Sequence, residues 1–323
     1  MTMPEILDPH VAQLLRLLNS AFPLLGTDVT DAAEARLLFN KLRKPVDQPT
    51  CVGEVHEIDV RGARDGKLAA RLYRPRGPQA DPKAAVLFFH GGGWVLGDLD
   101  SHDELVRQLC NSLGRTVVSV AYRLAPEHPF PEPLDDVIAA VQDLGERALQ
   151  LDLHAPFVVS GDSAGGNLAA LASLEARARE ELPVAAQLLL YPVLDATCST
   201  ASYRDNAYGY YITVDHLRWF WDQFLGAQPL EDAATRCSPA RWPDLREAPP
   251  AVIITAGLDP LRDEGRMYAE GLARGGCDVT LLNYPQAFHG FLGFAAQLPV
   301  AAEALTALGS ALDRILGGTH GSE

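Results

Sequence analysis

A serine flanked by glycines carries the strongest chemical signal in this sequence. The segment Gly161-Asp162-Ser163-Ala164-Gly165 follows an apolar run at residues 157–160 that predicts a strand, and it precedes a segment with helical periodicity. This is the context of a G-x-S-x-G nucleophile turn, whose glycines leave room for a sharp strand-to-helix bend. The N-terminus of the following helix offers partly positive N–H groups where negative charge develops. Ser163 is therefore a candidate nucleophile, with an ordinary glycine-rich turn as the alternative.

A second glycine-rich segment, His90-Gly91-Gly92-Gly93-Trp94, follows a predicted buried strand at residues 84–89. Consecutive glycines leave backbone N–H groups unobstructed and let the chain approach a reacting carbonyl closely. We expect two of these N–H groups and that of Ala164 to form an oxyanion hole, and we expect His90 and Gly91 to support the loop. A phosphate-binding loop is the alternative, but the Lys and Ser/Thr of a Walker sequence and the G-x-G-x-x-G spacing are missing.

A serine nucleophile needs a base and an acid that orients the base. Asp259 follows the next-to-last predicted strand and His289 follows the last one. The chain order Ser163, Asp259, His289 is that of hydrolases with a nucleophile turn of this kind. Asp263 is the rival acid, although its place near the next helix is more typical of a cap, as is that of Glu264.

Strands and helices that alternate along the chain have to position these residues. Short apolar runs, typical of strands buried on both faces of a parallel sheet, occur at residues 55–60, 68–73, 84–89, 117–120, 157–160, 187–191, 251–255 and 279–284. Helical segments are predicted at residues 104–112, 134–145, 167–181 and 264–274. The alternation predicts an α/β fold with right-handed crossovers, in which helices flank a mostly parallel sheet of eight strands.

Two segments depart from this alternation, and we interpret them as a helical cap. Residues 1–50 contain two predicted helices, the first capped by Asp8 and the second beginning near Asp31. Residues 196–240 form an insertion between strands that holds a third of the aromatic residues of the chain. We therefore expect a cap segment 1–50, a catalytic domain 51–323 and a second cap insertion 196–240. Most rings of the insertion fill a core, and one or two line a substrate pocket.

The motifs together resemble those of the bacterial hormone-sensitive lipase family of esterases, which have the α/β-hydrolase fold. Five segments carry the resemblance in the same order, at residues 90–94, 122–131, 161–167, 259–265 and 289–291. The resemblance implies Ser163 as nucleophile, His289 as base and Asp259 as the acid that orients it. It also implies Gly92, Gly93 and Ala164 as oxyanion donors.

The resemblance further implies esters of short to medium acyl chains as substrates, no cofactor, and frequent dimerisation, so a homodimer is expected. It does not identify the pocket residues one by one. The candidate pocket residues are four aromatic side chains: Trp94, Tyr191, Tyr211 and Phe288.

Composition restricts the partners of the protein. The chain has 323 residues, with 27 Lys and Arg against 42 Asp and Glu and a net charge of −15. This charge disfavours nucleic acid and anionic membrane surfaces, which bind through basic side chains. The start of the chain lacks the pattern of a signal peptide and no apolar run is long enough for a bilayer, so we expect a cytoplasmic protein. Five scattered cysteines without a C-x-x-C pair fit a reducing compartment.

No metal site is predicted. Asp98, Asp100, His102 and Asp103 lie close together, but their spacing matches no metal template and the start of a helix explains them. The sequence thus predicts a serine carboxylesterase that acts on small esters through an acyl-enzyme intermediate.

Three other functions stay open at this point. An amidase or peptidase could use the same triad. A non-catalytic receptor on the same fold is a second alternative, but plant gibberellin receptors of this kind have lost the triad histidine, whereas His289 is present here. An interfacial lipase would need a large exposed apolar lid, and the acidic composition favours small esters instead.

Overall fold

An eight-stranded sheet forms the centre of the computed structural model, which describes residues 7–42, 46–77 and 83–318. Its strands, in chain order, are β1 (Glu54–Arg61), β2 (Lys67–Arg74), β3 (Val86–Phe89), β4 (Val117–Val120), β5 (Phe157–Asp162), β6 (Val184–Leu190), β7 (Ala251–Leu258) and β8 (Val279–Phe288). Across the sheet the order is β1-β2-β4-β3-β5-β6-β7-β8. β2 is antiparallel to β1 and β4, and the remaining neighbours are parallel, which confirms the predicted mostly parallel sheet of eight strands.

Helices cover both faces of the sheet. They are α1 (Pro9–Ala21), α2 (Ala32–Leu42), α3 (Asp103–Leu113), α4 (Glu132–Glu146), α5 (Ala164–Ala176), α6 (Ala201–Asp205), α7 (Val214–Leu225), α8 (Leu230–Cys237), α9 (Arg262–Arg274) and α10 (Pro299–Gly318). Successive residues of β3 face opposite sides, so Phe89 packs in the core that contains residues of α4 and α5. Phe88 packs in the core that contains residues of α3 and α10. Within the described residues, no helix is long and apolar enough to cross a membrane.

The first two helices begin where the sequence predicts them. Asp8 caps α1 by accepting hydrogen bonds from the N–H groups of His10 and Val11, and Asp31 accepts one from the N–H of Glu34 at 2.8 Å. The helix after the nucleophile turn differs from its prediction at residues 167–181. It begins at Ala164, directly after Ser163, and it ends before the charged stretch that follows Ala176.

The N-terminal helices pack onto the insertion and onto the chain that follows the glycine loop. Asn19 of α1 donates to the carbonyl of Gly209 at 2.8 Å and accepts from the N–H of Tyr211 at 2.9 Å. Arg36 of α2 donates to the carbonyl of Val95, after the glycine loop, and to that of Ala125, after β4. It also donates to both carboxylate oxygens of Glu127. These contacts place α1 and α2 above the carboxyl ends of the strands.

Candidate active site

Ser163 lies at the sharp turn between β5 and α5. Its backbone has a φ of 53° and a ψ of −116°, a conformation that is strained for a residue with a Cβ atom. A Cβ on Gly161 would overlap the backbone of Gly165, and one on Gly165 would overlap the carbonyl of Phe89. The two glycines therefore let the turn pack directly against β3, with the serine at the carboxyl ends of the central strands.

The structure brings the three predicted catalytic side chains together. His289 Nε2 lies 2.9 Å from Ser163 Oγ, and His289 Nδ1 lies 2.8 Å from Asp259 Oδ2. The other carboxylate oxygen of Asp259 accepts a hydrogen bond from the N–H of Leu261 at 2.9 Å. All three side chains are buried, with exposed fractions of 8% for Ser163, 6% for His289 and 1% for Asp259. With Nδ1 donating to the carboxylate, Nε2 is left to accept the proton of the serine hydroxyl.

The glycine loop adopts backbone conformations that suit glycine. Gly92 and Gly93 have φ values of 110° and 62°. A Cβ on Gly92 would overlap the backbone of Leu96, and one on Gly93 would overlap the ring of Phe220 in α7. Both glycines line the cavity that also contains Ser163. Ala164 is the first residue of α5, so its N–H has no acceptor within the helix.

A buried carboxylate connects the glycine loop to the nucleophile turn. Asp162 Oδ1 accepts a hydrogen bond from the N–H of Gly91 at 2.7 Å and lies 3.4 Å from His102 Nε2. Burial alone would raise the pKa of Asp162, but the imidazole of His102 and the N–H of Gly91 hold this pKa below its ordinary value. The sequence did not predict that Asp162 and His102 support the glycine loop, although Asp162 lies within the motif around Ser163.

His90 contacts both the glycine loop and the segment that follows β4. Its Nδ1 lies 2.8 Å from the carbonyl oxygen of Gly91, and its ring stacks on Tyr122 at 4.6 Å. The hydroxyl of Tyr122 donates to the backbone carbonyl of His90 at 2.7 Å. Burial lowers the pKa of His90 to about 4, so its imidazole is neutral at neutral pH.

Two adjoining cavities meet beside the serine. A small cavity of about 60 Å³ contains Ser163 and His289, and the rest of its lining is mainly apolar. These apolar residues are Phe22, Phe39, Leu96, Tyr211, Ile212 and Phe220. A larger cavity of about 360 Å³ shares His102, Asp162 and Gly290 with the small one and has a more polar lining.

The four candidate pocket residues have different positions. Tyr211 lines the small cavity, and Tyr191 lines the larger one with its ring edge-on to His289 at 5.1 Å. Trp94 and Phe288 line neither cavity, which corrects the expectation for these two residues. Trp94 stacks on Phe224 of α7 at 4.0 Å in the core. Phe288 is the last residue of β8 and is fully buried, with its ring edge-on to that of Tyr211 at 6.3 Å.

The rival acids lie elsewhere. Asp263 accepts a hydrogen bond from the N–H of Ser202 at 2.8 Å, and Glu264 accepts one from the N–H of Leu194 at 2.6 Å. Their side chains therefore connect α9 to α6 and to the segment before the insertion, and they are not the helix caps that the sequence predicts. Complete burial raises the pKa of Glu264 well above its ordinary value.

The acidic residues after the glycine loop are engaged in local contacts. Asp100 and Asp103 form ion pairs with Arg71, and Asp98 accepts a hydrogen bond from the N–H of Ser101 at 2.7 Å. In the described ranges, no group of His, Cys, Asp and Glu is arranged to hold a metal ion.

Comparisons with known proteins show which proteins the chain resembles. A family model described as alpha/beta hydrolase fold matches residues 86–293. Carboxylesterase NlhH of Mycobacterium tuberculosis is 37% identical over 98% of this chain and 99% of its own length. The ethyl acetate hydrolase of Pseudomonas putida is 36% identical over 96% of this chain and 99% of its own length. Among solved structures, a hyperthermophilic esterase of Pyrobaculum calidifontis has a TM-score of 0.87 at 36% identity, with coverage of 97% and 99%.

The fold, the arrangement of the site and these similarities define a class of hydrolases that act on ester bonds. The chain belongs to the hormone-sensitive lipase family of α/β-hydrolase esterases. It is a carboxylic ester hydrolase.

Proposed function

We propose that Ser163, His289 and Asp259 are the catalytic triad of this carboxylesterase and that the reaction passes through an acyl-enzyme intermediate. The observation that carries this proposal is the continuous chain of contacts, at 2.9 Å from Ser163 to His289 and at 2.8 Å from His289 to Asp259. The burial of all three side chains supports it, because contacts among polar groups are stronger where water is excluded.

The proposed reaction begins when Ser163 Oγ attacks the ester carbonyl carbon and His289 Nε2 takes the serine proton. Asp259 holds the imidazole in the required tautomer and stabilises the imidazolium that forms. The tetrahedral intermediate then collapses, the bond to the alcohol oxygen breaks, and His289 gives its proton to that oxygen. Water attacks the acyl-enzyme by the same route, with His289 again as base and then as acid, and releases the carboxylic acid.

We further propose that the N–H groups of Gly92, Gly93 and Ala164 bind the oxyanion of the tetrahedral intermediate. Both glycines line the cavity that contains Ser163, and Ala164 is its neighbour at the start of α5. Donors fixed by the backbone need no rearrangement when charge develops, and one such donor typically contributes about 100- to 1,000-fold to the rate.

The cavities suggest the substrate class. The small apolar cavity has room for a short chain only, and five of its six apolar lining residues lie in the proposed cap segments, residues 1–50 and 196–240. We propose that these segments together cap the catalytic domain 51–323 and limit one side of the substrate to a few carbon atoms. Esters of short to medium acyl chains fit this arrangement.

The central test is hydrolysis of p-nitrophenyl acetate and butyrate by Ser163→Ala. We expect kcat to fall by a factor of about 10⁴ or more, because the nucleophile is lost. Ser173→Ala is a matched control, since Ser173 is buried in α5, the helix that follows Ser163, and donates to the carbonyl of Ala169. Wild type should also show a burst of p-nitrophenol that Ser163→Ala lacks. Retention of most activity by Ser163→Ala would refute the proposal.

A further inference from the structure

The insertion contacts the loop that carries Asp259. The carboxamide nitrogen of Asn206, which follows α6, donates to the backbone carbonyls of Gly257 and Asp259, both at 3.0 Å. Asn206 is itself buried, with an exposed fraction of 5%. One side chain thus binds the carbonyl of the proposed catalytic acid and that of the residue two positions before it.

A residue within α6 itself, Ser202, binds the part of the same loop that follows Asp259. Ser202 Oγ donates to the carbonyl of Pro260 at 2.5 Å and accepts from the N–H of Asp263 at 3.2 Å. The end of β7 is close to β8, because a Cβ on Gly257 would overlap the backbone of Pro285. The strand end thus contacts β8 while the loop after it contacts α6, and the path of the loop depends on both.

We propose that Asn206 is a positioning residue of the reaction and acts through Asp259. This inference rests on the proposed function of the triad. Asp259 lies on a loop beyond the end of β7, and loops are held less firmly than the strands that they follow. The two hydrogen bonds from Asn206 fix the backbone on both sides of Leu258 and thereby the distance from the carboxylate to His289. The insertion then contributes to catalysis as well as covering the site.

The chemistry of the contact suggests two informative variants. Asn206→Leu keeps the approximate size of the side chain and removes both donors, so the buried carbonyls lose this partner. Asn206→Asp keeps the shape but places a carboxylate against two carbonyl oxygens, which repel it. Only the protonated form of that aspartate can donate, so its defect should diminish as the pH falls.

The experiment measures kcat, KM and the pH profile of p-nitrophenyl acetate hydrolysis for both variants. We expect kcat of Asn206→Leu to fall by about 10- to 100-fold with KM within about threefold of wild type, since misplacement by about 1 Å has effects of this size. The activity of Asn206→Asp relative to wild type should rise between pH 8 and pH 5.

Gln187→Leu is the matched control for the loss of a buried carboxamide. Gln187 lies in β6, donates to the carbonyl of Pro249 at 3.1 Å and accepts from the hydroxyl of Tyr268 at 3.1 Å, away from the triad. We expect this control to lower the thermal unfolding temperature and to leave kcat and the pH profile unchanged. A purely structural role of Asn206 would give the same result as Gln187→Leu.

A second cycle tests whether Asn206 acts through Asp259. In an Asp259→Asn background, Asn206→Leu should reduce kcat by less than about twofold, because effects on one shared group do not add. An unchanged kcat of Asn206→Leu, or its full effect in the Asp259→Asn background, would overturn the inference while Ser163→Ala stays inactive. An active Ser163→Ala would instead refute the proposed function. If Asn206→Leu does not fold, the pH dependence of Asn206→Asp decides.

Discussion

The carboxylate of Asp162 accepts a hydrogen bond from the backbone N–H of Gly91 at 2.7 Å, so the residue before the proposed nucleophile holds the glycine loop. Position 91 has no room for a side chain, because a Cβ on Gly91 would overlap the carboxylate of Asp162. One buried hydrogen bond thus fixes the position of the glycine loop, with its proposed oxyanion donors, relative to the turn that carries Ser163.

Removal of this carboxylate should lower the rate. We expect Asp162→Ala to reduce kcat by about 10- to 100-fold. This effect is at or below that of removing a whole oxyanion donor, because the loop shifts while its N–H groups remain. Asp162→Asn should lose less, since the amide oxygen still accepts from Gly91. Steady-state kinetics with p-nitrophenyl acetate provide the measurement. Asp313→Asn is the control, because Asp313 pairs with Lys83 and Arg115 at the far end of the fold. Equal kcat values for Asp162→Ala and wild type would disprove the role of this contact.

The ring of Phe220 should set the length of chain that fits the small cavity. It lines that cavity and packs against Gly93, and it is almost fully buried. Phe220→Ala should raise kcat/KM for longer chains relative to short ones by about tenfold. One methylene group in an apolar pocket typically changes kcat/KM by this factor. Two ester series, one with growing acyl chains and one with growing alcohols, should be measured.

The series that responds identifies the part of the substrate in the small cavity. Phe224→Ala is the control, since Phe224 lies one helical turn away on α7 and lines neither cavity. It should lower stability without altering the chain-length profile. If neither series responds to Phe220→Ala, the small cavity does not hold the substrate.

His216 should make the stability of the protein depend on pH. Its Nδ1 accepts a hydrogen bond from the N–H of Thr213 at 3.2 Å, and its Nε2 lies 3.0 Å from the carbonyl of Pro23, so the neutral ring satisfies both contacts. Burial lowers the pKa of His216 to about 4. An unfolded histidine has a pKa of about 6.5, so the unfolded chain binds more protons between these two values.

The stabilisation is therefore complete above about pH 6.5 and declines as the pH falls towards 4. Thermal unfolding at pH 7 and at pH 4.5 should show a smaller decrease for His216→Gln than for wild type, although the variant is less stable at pH 7. His10→Gln, at an exposed position, should behave as wild type. An equal decrease for His216→Gln and wild type would contradict the assignment.

The sheet and the convergence of Ser163, Asp259 and His289 could be predicted because their signals are local. Buried strands are continuous apolar runs, and Ser163, Asp259 and His289 each directly follow one in a recognisable short segment. The chain order of such segments determines which strand ends meet. The convergence of these three side chains could therefore be predicted with little knowledge of side-chain packing.

The pocket and the supporting contacts could not be predicted in this way. Trp94 turns into the core because α7 offers Phe224 as a stacking partner, a contact between elements far apart in the chain. The hydrogen bond from Gly91 to Asp162 spans 71 residues, and that from Asn206 to Asp259 spans 53. Neither hydrogen bond can be predicted from hydrophobic periodicity or from the spacing of a motif.

The left-handed backbone of Ser163 has a consequence for the evolution of the enzyme. A residue with a side chain costs about 1–3 kcal/mol in such a conformation, whereas glycine adopts it freely. Glycine at this turn would relieve the strain, but it would remove the hydroxyl of the proposed nucleophile. Contacts elsewhere in the fold must therefore stabilise the strained backbone that holds this hydroxyl beside His289.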